Sequence, residues 1–181
     1  MSRISFIKLA ALLVAGTLAV GCAAKKPEWI MKGSGAFKKD QKVIYGVGVA
    51  EGVQSEALRR MTADNRAIAE ISKQLSTIST SLMRDYMSST AVPPEQKGSE
   101  EQYIENTVKT FTSNTVSGVK VTDRYQEKNG TLYSLASLNL DDLKMLAGEV
   151  KDLSESVREY IKANAEKAFD KLAEEESKHA Q

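Results

Sequence analysis

An α+β fold is what this sequence predicts: a small three-stranded antiparallel sheet packed against long helices, in the order strand, helix, helix, strand, strand, helix. Three observations carry that expectation. Residues 43–50 read Val-Ile-Tyr-Gly-Val-Gly-Val-Ala, a β-branched run with two-residue alternation. Asn129-Gly130 lies between two further strand-like stretches, and that dipeptide is the strongest short hairpin signal. Apolar residues three and four apart follow Ser55 and again Asp141, which is the period of a helix face.

The chain opens with a leader that precedes this fold. Arg3 and Lys8 form a basic start, and residues 9–20 carry no charge. That apolar run is too short to span a bilayer, which takes roughly 20 residues as a helix, and small residues end it, as in a cleaved secretory signal. Ala19-Val20-Gly21 then meets Cys22, the only cysteine in the chain. The stretch Leu18 to Cys22 resembles the lipobox of bacterial lipoproteins, although the position three before the cysteine, commonly leucine, is Ala19 here. The resemblance implies diacylglycerol on the Cys22 sulfur and cleavage after Gly21. It also gives a lone exported thiol, which has no partner for an internal disulfide, a use. Two or more acyl chains anchor stably where one does not. Ala23 and Ala24 lack the aspartate that retains many lipoproteins in the inner membrane, so the implied destination is the outer membrane, facing the periplasm.

Without residues 1–21 the chain has 160 residues, with 23 basic and 24 acidic side chains. That length is one domain by prior, and the near balance lacks the basic patch and raised isoelectric point of a nucleic-acid binder. The expected partition is a signal peptide over 1–21, a lipidated N-terminus and linker over 22–42, an α+β domain over 43–140 and a long amphipathic helix over 141–181.

Trp29, the only tryptophan, follows the polar leash 23–28 and reads as a residue that closes one edge of the domain and finds a partner for its indole N–H. Residues 32–42, with Gly33 and Gly35, read as a loop. In the first strand Val43, Tyr45, Val47 and Val49 share one face, while Gly46 and Gly48 share the other and leave a flat strip open to close approach by a helix or another chain. Gly46 to Gly52 approaches the Gly-x-Gly-x-x-Gly nucleotide pattern but has Glu51 where the third glycine belongs, so that reading fails on spacing.

Ser55 caps the first long helix. Leu58, Met61, Ile68, Ile71, Leu75, Ile78 and Leu82 form its stripe as far as about Tyr86, roughly 45 Å at 1.5 Å per residue. Ala57, Ala63, Ala67 and Ala69 keep it slim, and the pairs Arg60 with Asp64 and Arg66 with Glu70 read as solvated ion pairs. Pro27-Glu28-Trp29, Tyr45 to Ala50 and Ala63-Asp64-Asn65-Arg66-Ala67 together resemble the LPP-twenty family of small bacterial lipoproteins, over roughly residues 27–140. That family includes FlgP-type proteins of the flagellar basal region. The resemblance implies a fold and an envelope setting, and it supplies no catalytic residue.

Pro93-Pro94 breaks the first helix, and Ser99 to Gln102 reads as a capping box for a shorter one with the stripe Ile104, Val108, Phe111. Strands follow over 116–126 and 131–139. Val119 and Val121 mark the inward face of the second strand, continuing to Asp123 and Tyr125, while Leu132, Tyr133, Leu135, Ala136 and Leu138 leave the third strand's face unassigned. From Asp141, Leu143, Leu146, Val150, Leu153, Val157 and Tyr160 repeat as a heptad seam, and the spacing predicts one helix of about 37 residues, roughly 55 Å. Its far part, among 11 acidic and 7 basic side chains, is expected to be an exposed arm for self-association or a partner.

Catalytic constellations are lacking in the sequence. The only histidine, His179, lies at the frayed end of the chain, no nucleophile pair can be built with it, and no set of zinc ligands has the needed spacing. The expected function is therefore that of a membrane-anchored structural lipoprotein, not an enzyme, with no metal and no cofactor beyond the covalent lipid. Trp29, Tyr45, Gly46, Gly48, Leu153, Val157 and Tyr160 are its candidate packing or partner surface. The alternative is a periplasmic binding module that holds an envelope ligand, such as a peptidoglycan fragment, on the glycine strip and Trp29.

Overall fold

The computed structural model describes residues 25–37, 42–89 and 97–179. The expected signal peptide over 1–21, Cys22 and the expected break at Pro93-Pro94 lie outside them. In chain order come α1 (Trp29–Lys32), a 3-10 turn (Gly33–Ala36), β1 (Val43–Ala50), α2 (Glu56–Ser89), α3 (Lys97–Thr115), a second 3-10 turn (Val116–Gly118), β2 (Lys120–Gln126), β3 (Leu132–Asn139), α4 (Leu140–Glu149) and α5 (Glu155–His179). The architecture is α+β as expected. The sheet order is β1-β3-β2 and both pairings are antiparallel.

The glycine strip decides how the layers meet. Ile44, Gly46, Gly48 and Ala50 are the buried side of β1, and α2 lies directly on them. A Cβ on Gly48 would sit 2.0 Å from the carbonyl oxygen of Ala63, and one on Gly46 would sit 2.2 Å from that of Ala67. Small residues on both partners thus let the helix backbone approach the strand backbone. Ser55 caps α2 as expected, accepting from Leu58 N at 3.4 Å. Gly130, at φ 89°, makes the β2–β3 turn, where Asn129 Oδ1 accepts from Thr131 N at 2.9 Å.

Helix α2 is far longer than the sheet is wide. Ala63, Ala67 and Ile71 meet the strands, and Leu75, Ile78, Leu82 and Met83 continue beyond them as an overhang. Val108 and Phe111 of α3 cover one flank of it; Leu143 and Ala147 of α4 with Val157, Ile161, Ala165 and Phe169 of α5 close the rest of one continuous core.

Three expectations need correction. The last helix is two helices: α4 ends at Glu149 and α5 begins at Glu155. Val150 and Leu153 stay buried at the corner, so the heptad spacing runs through a turn that it cannot register. Ser154 caps the new helix, its Oγ accepting from Val157 N at 3.4 Å. The apolar stripe of α5 is consequently folded back onto α2 as far as Phe169, and is not an exposed arm.

The second correction concerns β2. A bulge between Val121 and Asp123 shifts the register. One extra residue reverses the side on which every later side chain falls. Val121, opposite Ala136, faces the helices, whereas Asp123 and Tyr125, opposite Leu135 and Tyr133, face away. In β3 the helix-side residues are Leu132, Ser134, Ala136 and Leu138, each buried. The third concerns α3, whose span Lys97–Thr115 already includes Ser99, so the helix does not start there.

Candidate functional site

The leash read over 23–28 and the loop read over 32–42 flank Trp29, read as a packing residue; residues 25–37 together form a strap across the sheet face that α2 leaves open. Lys26 Nζ meets Glu127 Oε1 at 2.6 Å and lies 5.2 Å from the centre of the Tyr133 ring. The Glu127 carboxylate raises the Lys26 pKa above its ordinary value. Trp29 is buried, and its indole Nε1 donates to Asp123 Oδ2 at 3.1 Å. Phe37 stacks on Tyr45 with ring centres 3.8 Å apart and 14° between planes, and burial pushes the Tyr45 hydroxyl up in pKa. Leu135, which points away from α2, is buried beneath this layer. The linker therefore ends at Lys26. The bulge makes the arrangement possible, since without it Asp123 would face the helices.

The helix side carries a polar clamp. Asp64 accepts from Arg124 Nε and Nη2, both at 2.8 Å, and from Ser134 Oγ at 2.7 Å. Arg124 is the main cause of a lowered Asp64 pKa, the Ser134 hydrogen bond adds to it, and desolvation opposes both. Such charge-assisted, bidentate contacts are the strong class of hydrogen bond. Asp64 thus ties α2 to β2 and β3, whereas Arg60 meets Glu56 at 3.1 Å and Arg66 Nη1 donates to Val49 O at 2.5 Å. Sequence spacing suggested local pairs on one helix; only the fold brings Arg124 and Ser134 across to Asp64.

The carbonyl of Tyr45 accepts from Gln74 Nε2 at 2.9 Å, as that of Val49 does from Arg66. Side chains of α2 thereby cover part of the free edge of β1, a common way to discourage strand addition by another chain.

The remaining candidate residues lie inside the domain. Gly46 and Gly48 are filled over by α2, so the strip has no room for a ligand, and with Trp29 buried on the opposite face the ligand-binding alternative loses its surface. Leu153 and Val157 are buried. Tyr160 meets Tyr86 edge to face at 5.1 Å, and burial, with Asp85 nearby, pushes its hydroxyl pKa up.

Two recesses flank the overhanging half of α2. The larger, about 1040 Å³, opens between α2 and α3 and is lined by Lys73, Ser76, Thr80 and Arg84 on one side and Glu105, Lys109 and Thr112 on the other. The smaller, about 470 Å³, lies between α2 and α5 and adds Ala168, Lys171 and Leu172. Thr112 Oγ1 is buried without a hydrogen-bond partner. Neither recess was legible in the sequence, because both depend on the crossing of helices.

Among the described residues no group of three or more His, Cys, Asp or Glu side chains could hold a metal ion, and no helix is long and apolar enough to cross a membrane. Fold and strap together define a small α+β module whose N-terminal segment is part of its packed structure. Residues 27–139 match the LPP20 lipoprotein family, and the chain belongs to that family. Among curated proteins nothing matches it. The matched region begins at the strap and ends with β3, where α4 begins.

Proposed function

We propose that the protein is an outer-membrane lipoprotein of the bacterial envelope, anchored by diacylglycerol on Cys22 and facing the periplasm, whose folded domain is an assembly or interaction module and not a catalyst. The observation that carries this reading is the strap. Lys26 is already bound to the sheet, so only the three residues 23–25 separate the folded domain from the anchoring cysteine. A domain held so close to its lipid suits an envelope building block better than a module that must search for soluble substrates.

The partner surface in this reading is the pair of recesses along α2, where Thr80 and Arg84 border both and the C-terminal helix contributes Lys171 and Leu172. Self-association there, within a motility-associated complex of the kind the family resemblance implies, is the specific form of the proposal. Mass spectrometry of the membrane-extracted protein tests the anchor: it should lack residues 1–21 and carry acyl mass on Cys22, and Cys22→Ser should leave the membrane fraction. Light scattering of unlipidated residues 23–181 over a concentration series tests assembly. A defined oligomer that Thr80→Arg reduces to monomer is expected; a strict monomer at every concentration would overturn self-association.

A further inference from the structure

The strap enters the domain at one particular end of the sheet. Lys26 binds Glu127 beside the β2–β3 hairpin, and the chain then runs past Asp123 to Tyr45. The same end gathers the start of α2, where Arg59 lies 3.3 Å from the Cβ position of Gly130. The four steps of chain from Cys22 to Lys26 reach at most about 14 Å, so a lipid on Cys22 keeps the Lys26 backbone within that distance of the bilayer and the hairpin end next to it. The opposite end, where α4 starts, lies a full strand away, about 27 Å for eight residues.

The surface at the hairpin end has the chemistry of a membrane-facing patch. Lys26 is paired there with Glu127 and Arg60 with Glu56, and Lys25, Arg59 and Lys128 of the same segments stand against Glu51. Leu58 and Met61, in the first two turns of α2, are 48% and 54% exposed. Basic residues near an anionic leaflet are attracted to it, and exposed apolar side chains at the same place can enter the headgroup boundary. We infer that the hairpin end is the face that lies on the membrane, with anionic phospholipid headgroups as its ligand. This rests on the Cys22 anchor for its geometry, and the charge pattern supports it independently.

The natural lipidated chain allows a direct test, because acylation of Cys22 leaves any introduced cysteine as the only free thiol. Asn129→Cys, Met61→Cys and Met145→Cys are each labelled with a fluorophore and reconstituted on vesicles of phosphatidylethanolamine and phosphatidylglycerol bearing a headgroup quencher. Met145 is 56% exposed on α4, at the far end. Dyes at 129 and 61 should be quenched severalfold more than the dye at 145. Equal quenching at all three would overturn the orientation while leaving the anchor intact. A natural chain that fails to float with vesicles would overturn the anchor, and the surface is then decided by the Cys22→Ser chain. Its retention on phosphatidylglycerol vesicles at low salt should fall about fivefold for each of Lys25→Gln and Lys128→Gln. Retention unchanged by both would overturn the headgroup assignment.

Discussion

Replacing Gly48 with alanine places a methyl carbon 2.0 Å from Ala63 O and 2.4 Å from Ala67 N, and Cβ contacts below 3.0 Å essentially never occur. Both obstacles are helix backbone, so no rotamer change relieves them, and α2 must rise by about 1 Å from a close-packed seat. Overpacking of this kind costs about 1–3 kcal/mol. Lifting the helix also stretches the bonds from Arg66 to Val49 O and from Gln74 to Tyr45 O, each worth about 1 kcal/mol. Lower unfolded-chain entropy returns about 0.4–1 kcal/mol. The net loss is about 3 kcal/mol, a large share of the roughly 5–15 kcal/mol that holds a domain together. Gly46→Ala should behave alike, and the double variant should lose clearly less than the sum, since one displacement of α2 relieves both clashes. Urea unfolding followed by circular dichroism reads these values from shifts in midpoint at constant slope. Gly35→Ala, where a Cβ meets nothing within 4 Å, is the neutral control, and Gly52→Ala, at φ +71°, should lose about 1–2 kcal/mol from backbone strain alone. A Gly48→Ala protein within about 0.5 kcal/mol of its parent, the range of ordinary surface changes, would refute the close approach of helix and strand.

Other perturbations probe the clamp, the strap and the helical corner. Asp64 has a lower pKa folded than unfolded, so its stabilisation is complete above the ordinary value of 3.8 and drains as pH falls through the folded value; Asp64→Asn should lose about 1–3 kcal/mol at neutral pH and flatten that acid-side slope in a pH series of urea midpoints. Trp29→Phe keeps the ring and removes the donor to Asp123, for a loss of about 1 kcal/mol, with faster hydrogen exchange confined to the strap. Phe169→Ala empties a buried site in the overhang core and should lose about 3–5 kcal/mol by the same urea assay, a result that an exposed C-terminal arm would not give.

Legibility in the sequence followed the range of the interaction. β1, α2 with its Ser55 cap and the Asn129-Gly130 turn rest on neighbours a few residues apart, and each formed as read. The glycine strip was readable as a place of close approach because only absent side chains permit one. The corner at 150–154 was not, since Val150 and Leu153 remain buried in a turn and keep the three-and-four spacing intact; Ser154 ahead of Glu155 was the local clue. The bulge at Thr122 inverted the expected face of Asp123, and with it the site that receives Trp29. Asp64 lies beside Ala63 in the stretch that meets the sheet, yet its partners are 60 and 70 residues away, beyond any periodicity.

The strap also sets how a pull on the chain's N-terminal side would be borne. Its attachments lie in series, Lys26 on Glu127, then Trp29 on Asp123, then Phe37 on Tyr45, so tension reaches them one after another and peels the strap. The strands of the sheet are not sheared until the last has gone. Releasing residues 26–41, as far as Lys42, which Asp170 and Glu166 of α5 hold, adds about 50 Å of chain to the tether while the helix-side core is left intact. The first thing to yield is thus a slack-giving segment ahead of the fold, a mechanical fuse between anchor and domain.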